Sequence, residues 1–180
     1  MDEVIIKNHN AVVKPQDIFY HLGDFAWNNK GKAIEYLRQL NGKKFFLAGN
    51  HDKVLFKRDT DFNIVIRSEV VPYVEWIKDY HELTIQDKTA PRKKRMIVMS
   101  HYAPRVWNKS HYQSYSLWGH SHGSLLDGTN ALSIDVGIDA TAKRYSANGV
   151  LNPEDYRPLC YEEIQTIMES KNYLSVDHHK

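Results

Sequence analysis

The chain has 180 residues, 42% of them hydrophobic and 26% charged, with a formal net charge of +2. That length predicts a single domain spanning residues 1–180, able to bury roughly 70% of the surface its unfolded chain exposes, and the charge gives no basic field for nucleic acid. One cysteine, Cys160, excludes a disulfide framework, and neither a secretory signal at Met1-Asp2-Glu3-Val4-Ile5-Ile6-Lys7 nor a run of ~20 apolar residues is present, so a soluble cytoplasmic protein is expected, with no membrane partner.

Residues 2–13, with apolar Val4, Ile5, Ala11 and Val12 among polar neighbours, predict a short amphipathic helix closed by Pro15. Asp17-Ile18-Phe19-Tyr20-His21-Leu22 is β-branched and aromatic and stops at Gly23-Asp24, which predicts a strand that delivers a loop. Residues 31–40 predict a helix stopped by Asn41-Gly42. The strand-and-loop figure then recurs. Residues 44–48 form a short apolar strand ending in Gly49-Asn50-His51-Asp52. Residues 81–87 and 96–99 are strand-like, with Arg92-Lys93-Lys94-Arg95 between them as a solvated hairpin turn. The second of these ends in Ser100-His101-Tyr102. Residues 115–118 end in Gly119-His120-Ser121-His122-Gly123. Residues 131–137 predict a further strand, residues 161–170 a last helix, and Asp177-His178-His179-Lys180 a frayed end.

Four apolar strands thus end in loops carrying Asp, Asn or His. In α/β folds ligands gather at the carboxyl ends of strands, so the pattern predicts one pocket fed by successive loops. Asp24 offers a carboxylate, Asn50 an amide oxygen, and His101, His120 and His122 imidazoles. Such a set without thiolate suits Mn, Fe, Zn, Ni or Co rather than a structural zinc. A carboxylate can bridge two such ions, and an ion pair roughly 3.5–4 Å apart can clamp a phosphoryl group and activate water.

Gly23-Asp24, Gly49-Asn50-His51-Asp52, Ser100-His101 and Gly119-His120-Ser121-His122 resemble, in order, successive motifs of the calcineurin-like metallophosphoesterase family. The resemblance covers residues 15–140, and Tyr20-His21-Leu22-Gly23-Asp24-Phe25 is similar to the small bacterial and phage branch. It implies an α/β fold, a central β-sandwich of mixed sheets flanked by helices. It also implies hydrolysis of a phosphomonoester or phosphodiester by metal-activated water. Asp24 would bridge two divalent metals, Asn50, His101 and His120 would hold the second, and His122 would help hold the first. His51 would contact the phosphoryl group or protonate the leaving group, with Asp52 orienting it; Asn50 would also touch substrate.

The family opens with a strand ending in Asp-x-His. Upstream of Asp24 the chain holds only Asp2, His9 and Asp17, none in a strand-then-loop context. The chain is therefore expected to begin about one strand late. The first metal would retain only Asp24 and His122, giving one metal here against two in the family, unless another chain or an unrecognised position completes the site. A missing strand would also leave a sheet edge open for a partner or a second copy of the chain.

Other residues read more plainly. Arg105 is either a bidentate phosphate clamp or a surface arginine. Tyr102 and Trp107 are assigned to core packing, and His21 and His111 to structural roles. A metal-depleted interaction module is the rival reading from another class, and metal-dependent turnover separates the two. A nuclease is disfavoured by the charge balance.

Overall fold

Apolar runs and turn residues divide the described residues into four helices and nine short strands. The computed structural model describes residues 1–27, 29–128 and 130–175; the frayed end assigned to Asp177-His178-His179-Lys180 lies outside them. In chain order the elements are α1 (Asp2–Val12), β1 (Ile18–His21), α2 (Lys30–Gln39), β2 (Lys43–Leu47), β3 (Phe56–Arg58), β4 (Ile64–Ile66), β5 (Trp76–Lys78), β6 (Tyr80–Gln86), β7 (Lys94–Ser100), β8 (Tyr115–Trp118), β9 (Ser133–Asp135), α3 (Ile138–Tyr145) and α4 (Tyr161–Glu169). The chain is a mixed α/β protein. One sheet, ordered β1-β2-β5, is parallel throughout. The other, ordered β6-β7-β8-β9, opens with an antiparallel pair and continues parallel. Of these two sheets the second is mixed. β3 and β4 form a separate antiparallel hairpin.

Alternation along β2 explains how the layers stack. Successive side chains leave a strand on opposite faces. Phe46 points to the face covered by Ala33 and Leu37 of α2, which are one helical turn apart and fully buried. Its neighbour Leu47 points the other way, joining Leu22, Val98, Met99, Leu117 and Ile134 in a core shared by both sheets, closed by Ile164 and Met168 of α4. α2 is capped as its sequence suggests, the Asn29 side chain accepting from Lys32 N at 3.1 Å.

α1 docks differently from an ordinary amphipathic helix. Its buried residues are Asn8 and His9, not the apolar ones. Asn8 donates to Pro153 O at 2.7 Å, and His9 Nε2 lies 3.0 Å from Asn41 O with its ring edge-on to Phe19. Ile5 and Ile6 instead line an open groove.

The basic run before β7 splits. Arg92 and Lys93 lie in the turn, but Arg95 is buried in β7, where strand alternation aims it inward. That corrects the solvated turn expected for all four residues. Arg95 Nε bonds Asp87 Oδ2 at 3.1 Å, and Asp87 also accepts from Thr89 and from the Tyr161 hydroxyl of α4. Burial pushes the Asp87 carboxyl up, but these donors outweigh it and hold its pKa at about 2. On the same helix Glu163 is gripped by the guanidinium of Arg157, which precedes α4, and its pKa also falls to about 2. Both folded-state values lie below the ordinary carboxylate range. The stability they contribute is therefore present above about pH 4.5 and is lost as pH falls toward 2. The loss should be about 2 kcal/mol from buried Asp87 and about 1 kcal/mol from the more exposed Glu163. Urea unfolding at pH 7 and pH 3, repeated on Asp87→Asn/Glu163→Gln, is expected to show a flatter pH dependence in the double variant.

Candidate metal centre

β1, β2, β7 and β8 all run toward one end of the molecule, and the four motif loops meet there. The local chain is built for close approach. A Cβ on Gly49 would fall on the Asp24 amide nitrogen and carboxylate, and one on Gly23 would strike His101 Nδ1. Asp24, His120 and His122 adopt left-handed backbone with φ of 60°, 64° and 49°. Asp and His tolerate this region better than most residues, and such conformations collect at functional sites.

Asp24, His101 and His120 bring three ligand atoms within 4.8 Å of one another. Asp24 Oδ2 lies 3.3 Å from His101 Nε2 and 4.0 Å from His120 Nδ1. Asn50 Oδ1 lies 2.9 Å from the same His101 nitrogen. The proton inventory makes this arrangement informative. His101 Nδ1 sits 2.7 Å from Leu22 O, which can only accept, so Nδ1 carries the proton and Nε2 of a neutral ring presents a lone pair. In the neutral ring that lone pair faces an amide oxygen and a carboxylate oxygen, an arrangement in which three acceptors would point at one spot. A cation relieves that repulsion. With bonds of about 2.1 Å, adjacent donors on one transition metal lie roughly 3.0–3.4 Å apart, close to the spacings of Asp24 and Asn50 from His101; His120 Nδ1, at 4.0 Å from Asp24, stands farther out. The residues present therefore fit a divalent metal held by nitrogen and oxygen.

The four donors expected for the second metal, Asp24, Asn50, His101 and His120, are thus brought together. His122 is not among them. It is exposed, and its Nδ1 lies 2.5 Å from Asp139 Oδ2 in the first turn of α3. His122 and Asp139 line the same groove as Asp24 and His120. This groove, about 1130 Å³, is also lined by Tyr20, Leu22, Leu83, Ile97 and Leu117 and includes residues of β1, the edge strand of its sheet among the described residues.

Two buried aspartates shape the loops from behind. Asp52 is 1% exposed, and its carboxylate accepts the backbone N–H groups of Asp24 (2.8 Å), Phe25 (2.7 Å) and Gly49 (2.9 Å). The expected role of orienting His51 is corrected accordingly: the carboxylate binds the loops that carry Asp24 and Asn50. The His51 ring stacks instead on Trp27, centroids 3.8 Å apart, while its backbone N–H donates to Asp24 Oδ1 at 2.8 Å. Asp135, at the end of β9, does for the last loop what Asp52 does for the first, accepting from Gly123 N and Gly137 N. Burial raises its pKa and those two bonds oppose the rise. Asp135 escaped the sequence reading because it looked like one more residue of a strand, although its place at a strand's carboxyl end was the available signal.

The remaining assignments divide. Trp107 is buried and donates to Ser114 O, as expected of a core residue. Tyr102 is not in the core. It is exposed beside the cluster, its ring 4.6 Å from that of His120 and its hydroxyl 3.3 Å from Asn50 Oδ1. Arg105 is exposed, and no hydrogen bond or ion pair among the described residues joins it to the cluster. His21 is structural, its ring stacked on Phe46 and edge-on to Phe25; burial lowers its pKa to about 4. Among the described residues no helix is long and apolar enough to cross a membrane.

No family model matches the chain. An uncharacterized protein of Methanocaldococcus jannaschii is 49% identical over 55 residues, which are 29% of this chain and 31% of that protein. The matched segment thus spans about a third of that relative's length. The crystal structure of a protein of unknown function from Aquifex aeolicus aligns over 92% of this chain and 84% of its own, at 21% identity and a TM-score of 0.48.

Proposed function

We propose that this protein is a metal-dependent phosphoesterase of the calcineurin-like kind, with the fold that family carries. The observation that supports this reading best is the convergence of Asp24 Oδ2, Asn50 Oδ1, His101 Nε2 and His120 Nδ1 on one point, from four loops separated by up to 96 positions. A divalent ion there would supply a Lewis acid for a phosphoryl oxygen and a nucleophile from water near neutral pH. The chain's own residues do the rest. Leu22 O and Asn50 orient the His101 ring. His51 stands at the rim, its backbone N–H tied to Asp24 Oδ1 and its ring held by Trp27, where it can hydrogen-bond a phosphoryl oxygen or give a proton to the leaving group.

His122 with Asp139 offers a second nitrogen ligand with a carboxylate behind it, the arrangement that fixes imidazole ligands in metal sites. Asp24 and His122 line the same groove, and a second ion there would need further ligands beside these two.

Metal per chain, measured by elemental analysis after exchange into Mn²⁺, with turnover of bis-p-nitrophenyl phosphate and p-nitrophenyl phosphate, tests the reading. At least one ion per chain and metal-dependent turnover are expected. His51→Ala should lower turnover about 10²–10⁴-fold with metal retained. No bound metal at saturating Mn²⁺ would sink the proposal and favour the interaction module.

A further inference from the structure

Trp27 lies three positions after Asp24, in the loop between β1 and α2, and is 68% exposed. A large aromatic ring beside a polar cluster ordinarily finds apolar cover. This one remains largely exposed and stacks on the imidazole of His51 at a 28° interplanar angle. The stack fixes the indole plane in advance, so a ligand ring meeting it loses little further side-chain freedom. Tyr102 stands by the same four donors and is 56% exposed, with its ring 4.8 Å from His101. The donor cluster thus has two exposed aromatic rings at its rim.

We infer that the outer face of Trp27 binds a planar aromatic ring carried by the phosphoester, a nucleobase or an aryl group joined to the phosphoryl through a short linker. The inference rests on the phosphoesterase reading for where the phosphoryl sits and adds what the rest of the substrate is. His51 is tied to the cluster through its backbone N–H on Asp24 Oδ1, and its ring carries Trp27, so the indole belongs to the same loop assembly as the four donors. Every nucleobase has a π-face that stacks on an indole, whereas a sugar or alkyl phosphate has none. A net charge of +2 without a basic stripe favours a ligand of mononucleotide size over a polynucleotide.

Titrating the Mn²⁺-exchanged full chain with adenosine 5′-monophosphate and with ribose 5-phosphate, by calorimetry and tryptophan fluorescence, tests the platform. Parallel hydrolysis assays would use the same two esters and p-nitrophenyl phosphate. The nucleotide is expected to bind roughly 5- to 100-fold tighter than the sugar phosphate, with Trp27→Ala erasing the difference and Trp27→Phe keeping most of it. Equal weakening of both ligands in Trp27→Ala would overturn the inference, leaving Trp27 as a support for His51 alone. A ring preference without turnover of any ester would sustain the platform and count against the hydrolase. Turnover without a ring preference would do the reverse. Preference for the nucleotide over p-nitrophenyl phosphate would assign the ring as a nucleobase, and the opposite order as an aryl group.

Discussion

Asp24→Ala is expected to abolish Mn²⁺ binding and to reduce phosphoester turnover by at least about 10³-fold, since loss of a Lewis acid forfeits several kcal/mol of transition-state stabilisation. Asp24 is the one carboxylate among the four converging donors. Its two oxygens have separate tasks: Oδ1 receives the His51 N–H, and Oδ2 faces the two imidazoles. Removing it therefore loosens His51 and leaves two neutral nitrogens and an amide oxygen to hold a cation, a far weaker set. Alanine also tolerates the left-handed backbone poorly, at a cost of about 1–2 kcal/mol. Asp24→Asn separates these effects. Asparagine accepts the same backbone and nearly the same shape, so the variant should unfold close to wild type and still lose most of its metal. Elemental analysis and thermal unfolding on both variants decide the matter; unchanged metal content in both would remove Asp24 from the ligand set.

Asp52→Ala is expected to cost about 3–6 kcal/mol of stability and to weaken metal binding, although Asp52 touches no metal donor atom. Its carboxylate, 1% exposed, accepts three backbone N–H groups, and each buried donor left unpaired costs about 1–3 kcal/mol, with less than full additivity. Asparagine is a poor substitute because its amide would turn a donor toward a donor. Denaturant unfolding and Mn²⁺ titration measure the two effects. Should Asp52→Ala fold normally, bind metal normally and lose only turnover, the carboxylate acts on His51 after all, as its neighbouring position in the chain first suggested.

The contrast between those outcomes shows what could be read from the amino-acid string. The motif loops were legible because short β-branched and aromatic runs stop at glycine, a local signal that needs no tertiary information. The convergence of Asp24, Asn50, His101 and His120 followed from strands ending alike. Asp52 was misassigned because adjacency to His51 suggested a partnership, whereas its bonds reach 27 and 28 positions back, to Phe25 and Asp24. Arg95 read as solvated within a run of four basic residues, but strand alternation turns it inward to Asp87. Tyr102 was placed in the core on aromatic character alone, which says nothing about which side of a strand's end the ring leaves. The missed elements are short or lack a period. β5 has three residues, and α3 buries Ala140, Thr141 and Ala142 in succession, which hides any helical spacing.

The two buried carboxylates behind the loops bear on how freely this site can change. Asp52 and Asp135 hold main-chain amides, and among the described residues no hydrogen bond joins either carboxylate to a donor side chain. Loop shape is thereby separated from ligand identity. A mutation exchanging one donor for another leaves the amide bonds intact, so a descendant sequence could exchange histidine for carboxylate at position 120 or 122 without rebuilding the loop beneath it. Over generations the preference for one metal over another can drift by single substitutions, while the two aspartates themselves are the positions least free to vary.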